Sequence, residues 1–219
     1  MNYSVFFSRI EIGMDIALTK IKSILPKNPK VVILPWTFPT ELDANLLDND
    51  FFKKGERRYN KYVNELKKLG INEENIKVLN CYSDSKEKIK KTLKESNVLL
   101  LPGGNPEILY EIKYYKGLII GESAGTELQL KRYFITAKNN YYKYFAFYDG
   151  FGVIDDPFYM DVHSINNKNY LNKLKKVSNE TGKDVYGIFD DGVLIYDRTS
   201  KEVFKYGNVI KFTPKDKKK

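Results

Sequence analysis

A serine flanked by small residues is the feature of this sequence best suited to chemistry. Ser123 is the central residue of GESAG (121–125), a G-x-S-x-G pattern. The apolar segment GLIIGES (117–123) predicts a buried strand, and AGTELQLKR (124–132) predicts the start of a helix. A serine at so sharp a turn projects above the strand end, where N–H groups of the helix start can stabilise an oxyanion. The pattern predicts a nucleophile elbow, and a tight turn that merely contains a serine is the alternative.

A serine hydroxyl is a weak nucleophile, so the elbow requires a general base. The chain contains one histidine, His163, in the segment MDVHSINN (160–167). Histidine is the usual base because its ordinary pKa lies near neutrality. We therefore predict that His163 activates Ser123, although a lone histidine without a role is the alternative.

A second glycine-containing loop follows another predicted strand. The segment LLLPGGNP (99–106) is apolar up to its prolyl-glycyl turn. Glycines such as Gly104 allow backbone N–H groups to approach a ligand closely. In a parallel sheet this loop and the elbow share the carboxyl edge, where ligands bind. We expect Gly104 and Asn105 to lie at the site, with an ordinary strand-to-helix turn as the alternative. Neither the phosphate-loop nor the dinucleotide glycine pattern is present in the sequence.

The elements that position these residues alternate along the chain. This alternation predicts an α/β fold with a doubly wound, mostly parallel sheet and helices on both faces. Two further segments, 186–197 and 202–212, predict an antiparallel C-terminal extension of that sheet. We predict one domain over 1–212 and a disordered basic tail over 213–219. The predicted strands are 3–8, 31–36, 76–82, 98–104 and 117–123, and the predicted helices are 14–25, 51–70, 85–96, 105–115 and 124–132.

Composition excludes several classes of protein. The net charge of +9 comes mostly from lysines spread along predicted helix faces, which does not indicate nucleic-acid binding. No apolar run is long enough for a membrane span, and the N-terminus does not read as a secretory signal. The single cysteine, Cys81, cannot form an intramolecular disulfide or a cysteine-type metal site. We expect a cytoplasmic protein with no metal or other cofactor.

The PGGN loop, the GESAG elbow and the lone histidine, in this order, resemble the dipeptidase E family of serine peptidases, which includes cyanophycinase. The resemblance extends over nearly the whole chain. It implies a class I glutamine amidotransferase-like fold and hydrolysis of small peptides through an acyl-enzyme. It also implies that Ser123 is the nucleophile, that His163 is the base, and that the N–H groups of Gly104 and Ala124 hold the oxyanion. Glutamine amidotransferases carry a cysteine at the elbow, so the serine indicates the peptidase branch.

The residue that orients the histidine does not follow the family pattern. In that family an acidic residue between the serine and the histidine has this role, but the corresponding stretch ITAKNNYYKYF (135–145) contains no Asp or Glu. An asparagine amide there can accept the imidazole N–H. Asp161 is another candidate because, on a strand, it faces the same side as His163. The candidates in chain order are Glu127, Asn139, Asn140, Asp149 and Asp161, of which Asn140 and Asp161 are preferred.

Substrate contacts and the class of activity leave alternatives open. Glu122, beside the nucleophile, is expected either to bind a substrate amine or to face solvent. The segment SINNKNYLNK (164–173) has lysines but no arginine, so the family's preference for an N-terminal aspartate is not carried over. One alternative is an α/β-hydrolase esterase, although its base usually follows the last strands. Another is a non-catalytic binding protein on the same scaffold.

Overall fold

The computed structural model describes residues 2–35, 53–80, 83–102, 115–139, 143–155 and 157–215. Within these ranges the chain forms helices and strands that alternate through its first half. The α-helices are α1 (Ile10–Ser23), α2 (Arg57–Lys68), α3 (Lys86–Glu95), α4 (Ala124–Glu127) and α5 (Lys168–Thr181). The strands are β1 (Tyr3–Phe7), β2 (Val31–Ile33), β3 (Ile76–Val78), β4 (Val98–Leu101), β5 (Leu118–Glu122), β6 (Arg132–Ile135), β7 (Ala146–Asp149), β8 (Phe158–Asp161), β9 (Asp184–Ile188), β10 (Val193–Asp197), β11 (Val203–Tyr206) and β12 (Val209–Phe212).

A seven-stranded sheet forms the centre of the molecule, in the order β11-β10-β1-β5-β4-β2-β3. The five strands from β1 to β3 in this order pair in parallel. Strands β10 and β11 extend the sheet beyond β1 in antiparallel pairing. The predicted mostly parallel α/β sheet with an antiparallel C-terminal extension is therefore confirmed.

Both faces of this sheet are buried because alternate side chains of each strand point to opposite sides. Val5 and Phe7 pack in one apolar cluster with residues of α1 and α2, whereas Phe6 packs in a second cluster with residues of α3 and α5. Leu99 and Leu100 of β4 divide between the two clusters in the same way. The sheet is thus covered by helices on both faces, as the continuous apolar runs of its strands predict.

Only part of the C-terminal segment, β10 and β11, joins the central sheet. Strands β9 and β12 pair with each other and, together with β8, form a separate three-stranded sheet. Because β10 pairs with β11, the chain from 184 to 212 is one long hairpin that bends between the two sheets. At the bend a Cβ on Gly192 would lie 2.3 Å from the Asn208 carbonyl oxygen, and one on Gly207 would lie 2.2 Å from that of Asp191. Only glycines allow the two arms to approach this closely.

Other predicted boundaries also differ from those in the structure. The helix after the elbow ends at Glu127, and the chain soon enters the antiparallel pair β6–β7. Of the tail predicted to be disordered, residues 213–215 are attached to the domain: Pro214 is buried, and the Lys215 N–H donates to Asn179 Oδ1 at 3.1 Å. The remaining tail residues, most of the predicted helix 105–115, and Cys81 lie outside the described residues. The single domain over 1–212 stays a prediction. In the described ranges no helix is both long and apolar enough to cross a bilayer.

Candidate active site

Ser123 occupies a strained turn between β5 and α4. Its backbone has φ 52° and ψ −125°, outside the regions that a residue with a Cβ normally adopts. Its N–H donates to the Phe7 carbonyl oxygen of β1 at 2.9 Å, which fixes the turn to the neighbouring strand. A Cβ on Gly121 would lie 2.4 Å from the Gly125 carbonyl oxygen, so the helix can pack on the strand only with glycine there. The sequence GESAG thus has the geometry of a nucleophile elbow, with its serine at the strand end.

His163 lies in the loop that follows β8 and faces the serine. Its Nε2 atom is 3.1 Å from Ser123 Oγ, within hydrogen-bond distance. Its backbone also has a positive φ, 51°. The buried Ser8 hydroxyl accepts the His163 N–H at 2.9 Å and donates to the Ile188 carbonyl oxygen at 2.7 Å. This bridge between the ends of β1 and β9 fixes the loop that contains His163.

Asp190 is the residue that orients the imidazole. Its Oδ1 atom is 2.8 Å from His163 Nδ1, on the side of the ring opposite to the serine. A carboxylate in this position keeps the proton on Nδ1, which leaves Nε2 free to accept the serine proton. A carboxylate so placed can also stabilise an imidazolium. Ser123, His163 and Asp190 therefore have the geometry of a Ser-His-Asp triad.

Comparison with known proteins identifies the fold. No protein-family model matches the sequence, and no curated protein matches it. The structure is similar to the crystal structure of a candidate peptidase E from Listeria monocytogenes EGD-e, with a TM-score of 0.54 and 18% identity. The match covers 97% of this chain and 98% of that chain. This chain has a peptidase E-like fold. At this identity the likeness defines the fold and not the reaction.

Within the peptidase E-like fold, Asp161 does not orient His163, and that prediction is wrong. Its fully buried carboxylate accepts hydrogen bonds from the Tyr170 hydroxyl at 2.7 and 2.8 Å and from the Ser164 hydroxyl. The strand ends at Asp161, and the positive φ of His163 breaks the alternation on which the prediction depended.

The other candidates that the structure describes make no hydrogen bond to the histidine ring either. Asn139 Nδ2 donates to the Val162 carbonyl oxygen at 2.8 Å. Glu127 is buried, and burial, followed by the nearby Asp161 charge, raises its pKa well above the ordinary value. Asp149 ends β7 on the surface. Asn140 lies outside the described residues.

The predicted oxyanion site is described only in part. Ala124 is the first residue of α4, so its N–H has no acceptor within the helix. Gly104 and Asn105 lie outside the described residues. The roles of these three residues stay predictions.

One of the two predicted environments of Glu122, exposure to solvent, is wrong. Glu122 is 5% exposed, and its two carboxylate oxygens accept three hydrogen bonds. The donors are the Ile10 N–H at the start of α1 at 3.0 Å, Lys61 Nζ at 2.6 Å and the Tyr62 hydroxyl at 2.5 Å. Burial, followed by the neighbouring Glu122 charge, raises the pKa of Tyr62 far above its ordinary value, so the tyrosine remains a donor. Glu122 therefore joins α1 and α2 to the end of β5.

A cleft of about 490 Å³ opens beside Ser123 and His163. Its charged lining comes from the start of α1, from α2 and from the end of β5, and basic residues outnumber acidic ones by four to two. Glu11 is held in the ionised form: burial opposes ionisation, but its own backbone N–H and the side chains of Lys61 and Arg9 lower its pKa to about 2. The basic residues are Arg9, Arg57, Arg58 and Lys61, and the acidic residues are Glu11 and Glu122.

Sequence reasoning missed Asp190 because FDDG (189–192) has the composition of an ordinary tight turn. The signal that could have found it is topological. Strands β8 and β9 are parallel neighbours, with Asp161 opposite Gly187. Residues that follow the two strands therefore emerge at the same edge, which brings Asp190 next to His163.

Proposed function

We propose that this protein is a serine hydrolase of the peptidase type, in which Ser123 is the nucleophile, His163 is the base and Asp190 orients the base. The observation that supports this proposal is the continuous line of hydrogen-bond distances from Ser123 Oγ to His163 Nε2 and from His163 Nδ1 to Asp190 Oδ1. The positive φ of Ser123 adds support because strain of this kind is concentrated at functional sites.

The proposed reaction has two steps that share the same base. Ser123 Oγ attacks the scissile carbonyl carbon while His163 Nε2 takes the hydroxyl proton, and the N–H groups of Ala124 and Gly104 receive the negative charge on the carbonyl oxygen. The imidazolium then gives its proton to the leaving amine as the C–N bond breaks. In the second step His163 takes a proton from water, the resulting hydroxide attacks the acyl ester, and the proton returns to Ser123 Oγ as the acid product leaves.

The volume and the charge of the cleft favour a small, negatively charged peptide as the substrate. The volume lies at the lower end of the range for small-ligand pockets, about 300–1,000 Å³. The excess of basic side chains favours a ligand that carries a carboxylate, such as a short peptide with a free C-terminus. We place this activity in the cytoplasm, on the basis of the single cysteine in the sequence.

The two alternative functions have less support. The lack of an acid between the serine and the histidine favours a non-catalytic binding protein, but the Asp190 carboxylate, in the turn after β9, lies 2.8 Å from His163 Nδ1 and supports the catalytic alternative. An α/β-hydrolase esterase usually carries its base after the last strands, whereas His163 precedes β9 to β12. The peptidase E-like fold also favours the peptidase over the esterase.

A fluorophosphonate probe tests the proposal without a known substrate, because it phosphonylates activated serines. We expect mass spectrometry to locate the adduct at Ser123 in the folded protein, to find none in Ser123→Ala, and to find a strongly reduced rate in His163→Ala. Ser23→Ala, which removes an exposed hydroxyl on α1, is the matched control and should label normally. Equal labelling of folded and heat-denatured protein, or adducts at other serines only, would contradict the proposal.

A further inference from the structure

Two adjacent residues at the end of β1 contact the nucleophile turn and the loop that contains His163. The Phe7 carbonyl oxygen accepts the Ser123 N–H at 2.9 Å and the hydroxyl of Thr126, in α4, at 2.9 Å. The side chain of the next residue, Ser8, accepts the His163 N–H at 2.9 Å. The separation of nucleophile and base is therefore set through one short stretch of backbone, from Phe7 to Ser8.

The Ser8 hydroxyl is also connected to the strand that leads to the acid. It donates to the carbonyl oxygen of Ile188 at 2.7 Å, and Ile188 is the last residue of β9, two positions before Asp190. Ser8 is fully buried, so solvent does not compete for these hydrogen bonds. A hydroxyl has one proton, and because this proton is directed at Ile188, the oxygen presents its lone pairs to the His163 N–H. One side chain thus joins β1, the loop of the base and the end of β9.

These contacts account for the backbone conformation of the base. His163 has φ 51°, which a residue with a Cβ keeps only where its surroundings enforce it. Ser8 fixes its N–H, and the following N–H, that of Ser164, donates to the Ile188 carbonyl oxygen at 3.0 Å. Because Ser8 and Ile188 are themselves hydrogen-bonded, the contacts close a ring that holds the peptide groups on both sides of the His163 Cα. This backbone conformation sets the direction of the Cβ bond and thereby the position of the imidazole.

Two further contacts to this loop come from the chain after β6 and hold carbonyl oxygens instead. Asn139 Nδ2 donates to the Val162 carbonyl oxygen at 2.8 Å, and Lys138 Nζ donates to that of His163 at 2.5 Å. Lys138 is exposed, so water competes for its contact. The hydrogen bond from Ser8 differs from both, because it holds the N–H of the base and comes from the strand that also fixes the nucleophile.

We propose that Ser8 is a positioning residue, whose hydroxyl fixes the loop of His163 so that Nε2 lies within hydrogen-bond distance of Ser123 Oγ. The role requires an oxygen that both accepts and donates a hydrogen bond, which threonine has and alanine lacks. The effect of Ser8 on the reaction rate rests on the proposed function, whereas its effect on the geometry of the loop does not.

The single histidine of the chain makes the test direct. Selective isotope labelling of histidine gives one backbone amide signal in an NMR spectrum, and the ring gives one downfield Nδ1–H resonance from its hydrogen bond to Asp190. In Ser8→Ala we expect the His163 amide proton to exchange with solvent about tenfold faster, the effect of one lost hydrogen bond. The Nδ1–H resonance should broaden or disappear. Fluorophosphonate labelling of Ser123 should be about 100-fold slower, the order of loss that a misplacement of about 1 Å causes.

A conservative variant separates the hydrogen bonds of Ser8 from the volume of its side chain. Ser8→Thr keeps the hydroxyl, so it should retain both His163 signals and label within about threefold of wild type, a small change compared with the loss from misplacement. If Ser8→Ala or Ser8→Thr does not fold, Ser8→Cys replaces it. A thiol is a weak donor and a weak acceptor, so the labelling rate of Ser8→Cys should lie well below that of wild type.

Two other buried serines provide matched controls. Ser4 lies on the same strand and is also fully buried, but its hydroxyl has no hydrogen-bond partner among the described residues. Ser4→Ala should therefore leave the His163 signals and the labelling rate unchanged. Ser178, on α5, is equally buried and donates to the Lys183 carbonyl oxygen at 2.8 Å. Ser178→Ala should lower the thermal midpoint, because that acceptor loses its partner, and yet keep the His163 signals and the labelling rate of wild type.

Failure of this proposal is distinguishable from failure of the proposed function. Unchanged His163 signals and an unchanged labelling rate in Ser8→Ala would overturn the positioning role, as would a threonine variant as impaired as the alanine variant or a cysteine variant identical to wild type. If wild-type protein is not labelled at all, the proposed function fails. Faster amide exchange and loss of the Nδ1–H resonance in Ser8→Ala, with wild-type signals in Ser8→Thr, would then still support the positioning role.

Discussion

The Nδ1 atom of His163 lies 2.8 Å from Oδ1 of Asp190, and these residues follow two strands that are parallel neighbours. The Asp190 carboxylate therefore comes after His163 in the chain, from the turn that follows the next strand of a small second sheet. The bent hairpin at Gly192 and Gly207 fixes the turn in which Asp190 lies. A structural feature far from the elbow in sequence thus completes the site.

The backbone strain at Ser123 should be measurable as a difference in stability between two variants. Ser123→Ala and Ser123→Gly both remove the hydroxyl, but only glycine adopts φ 52° without strain. We expect the Gly variant to be more stable than the Ala variant by about 1 kcal/mol, equivalent to about 2–4 °C in thermal midpoint for a chain of this size. Differential scanning calorimetry of the two variants measures this difference. An Ala variant as stable as the Gly variant would show that the elbow is not strained in solution.

Acid should destabilise the protein partly through Glu11. The pKa of Glu11 in the folded chain, about 2, is below its ordinary value of 4.5. A lowered folded-state pKa means that the stabilisation is complete above pH 4.5 and is lost as the pH falls towards 2. The free energy of unfolding, measured by urea denaturation, should therefore fall less steeply over this window in Glu11→Gln than in wild type. Glu87→Gln, at an exposed position on α3, is the control and should retain the wild-type slope. Parallel curves for wild type and Glu11→Gln would contradict this prediction.

The basic cleft should select substrates by charge. Arg57→Gln and Arg58→Gln should each raise KM for a short peptide with a free carboxylate by about two- to fivefold, the usual effect of one solvated charge contact. The same peptide with a C-terminal amide should show little change in KM, and kcat should be nearly constant for both. Arg132→Gln, on β6 away from the cleft, serves as the control. Equal changes for the carboxylate and the amide would exclude charge recognition by these arginines.

Much of the fold could be predicted because its strands are buried on both faces. Continuous apolar runs such as VVILPW and GLIIGES indicate such strands directly, and helices between them imply parallel pairing. The sequence between 184 and 212 was harder to interpret. The sequence predicts two strands there, whereas the structure has four. The bend that divides them depends on the close approach of the two arms at Gly192 and Gly207, and this approach is set by pairing between residues distant in sequence.

The residues of the site also differ in how far the sequence predicts them. Ser123 could be predicted as an elbow residue because a local pattern of small residues determines the turn, and His163 because the chain offers no second histidine. Asp190 could not be predicted from local sequence, since two adjacent acids before a glycine also suit a plain turn. Glu122 was expected at the surface or at a substrate, but burial by α1 and α2 gives it a structural role.

The activation of Ser123 by the His163–Asp190 pair is tested most directly by the rate of fluorophosphonate labelling in Asp190→Asn. The amide preserves the shape of the side chain but favours the wrong histidine tautomer, so the rate should fall by about 10³–10⁴-fold, as in other triads. Asp191→Asn makes the same change at the next residue, whose carboxylate instead accepts from Asn208 at 2.5 Å, and should label at the wild-type rate. Equal labelling rates for Asp190→Asn, Asp191→Asn and wild type would contradict the account.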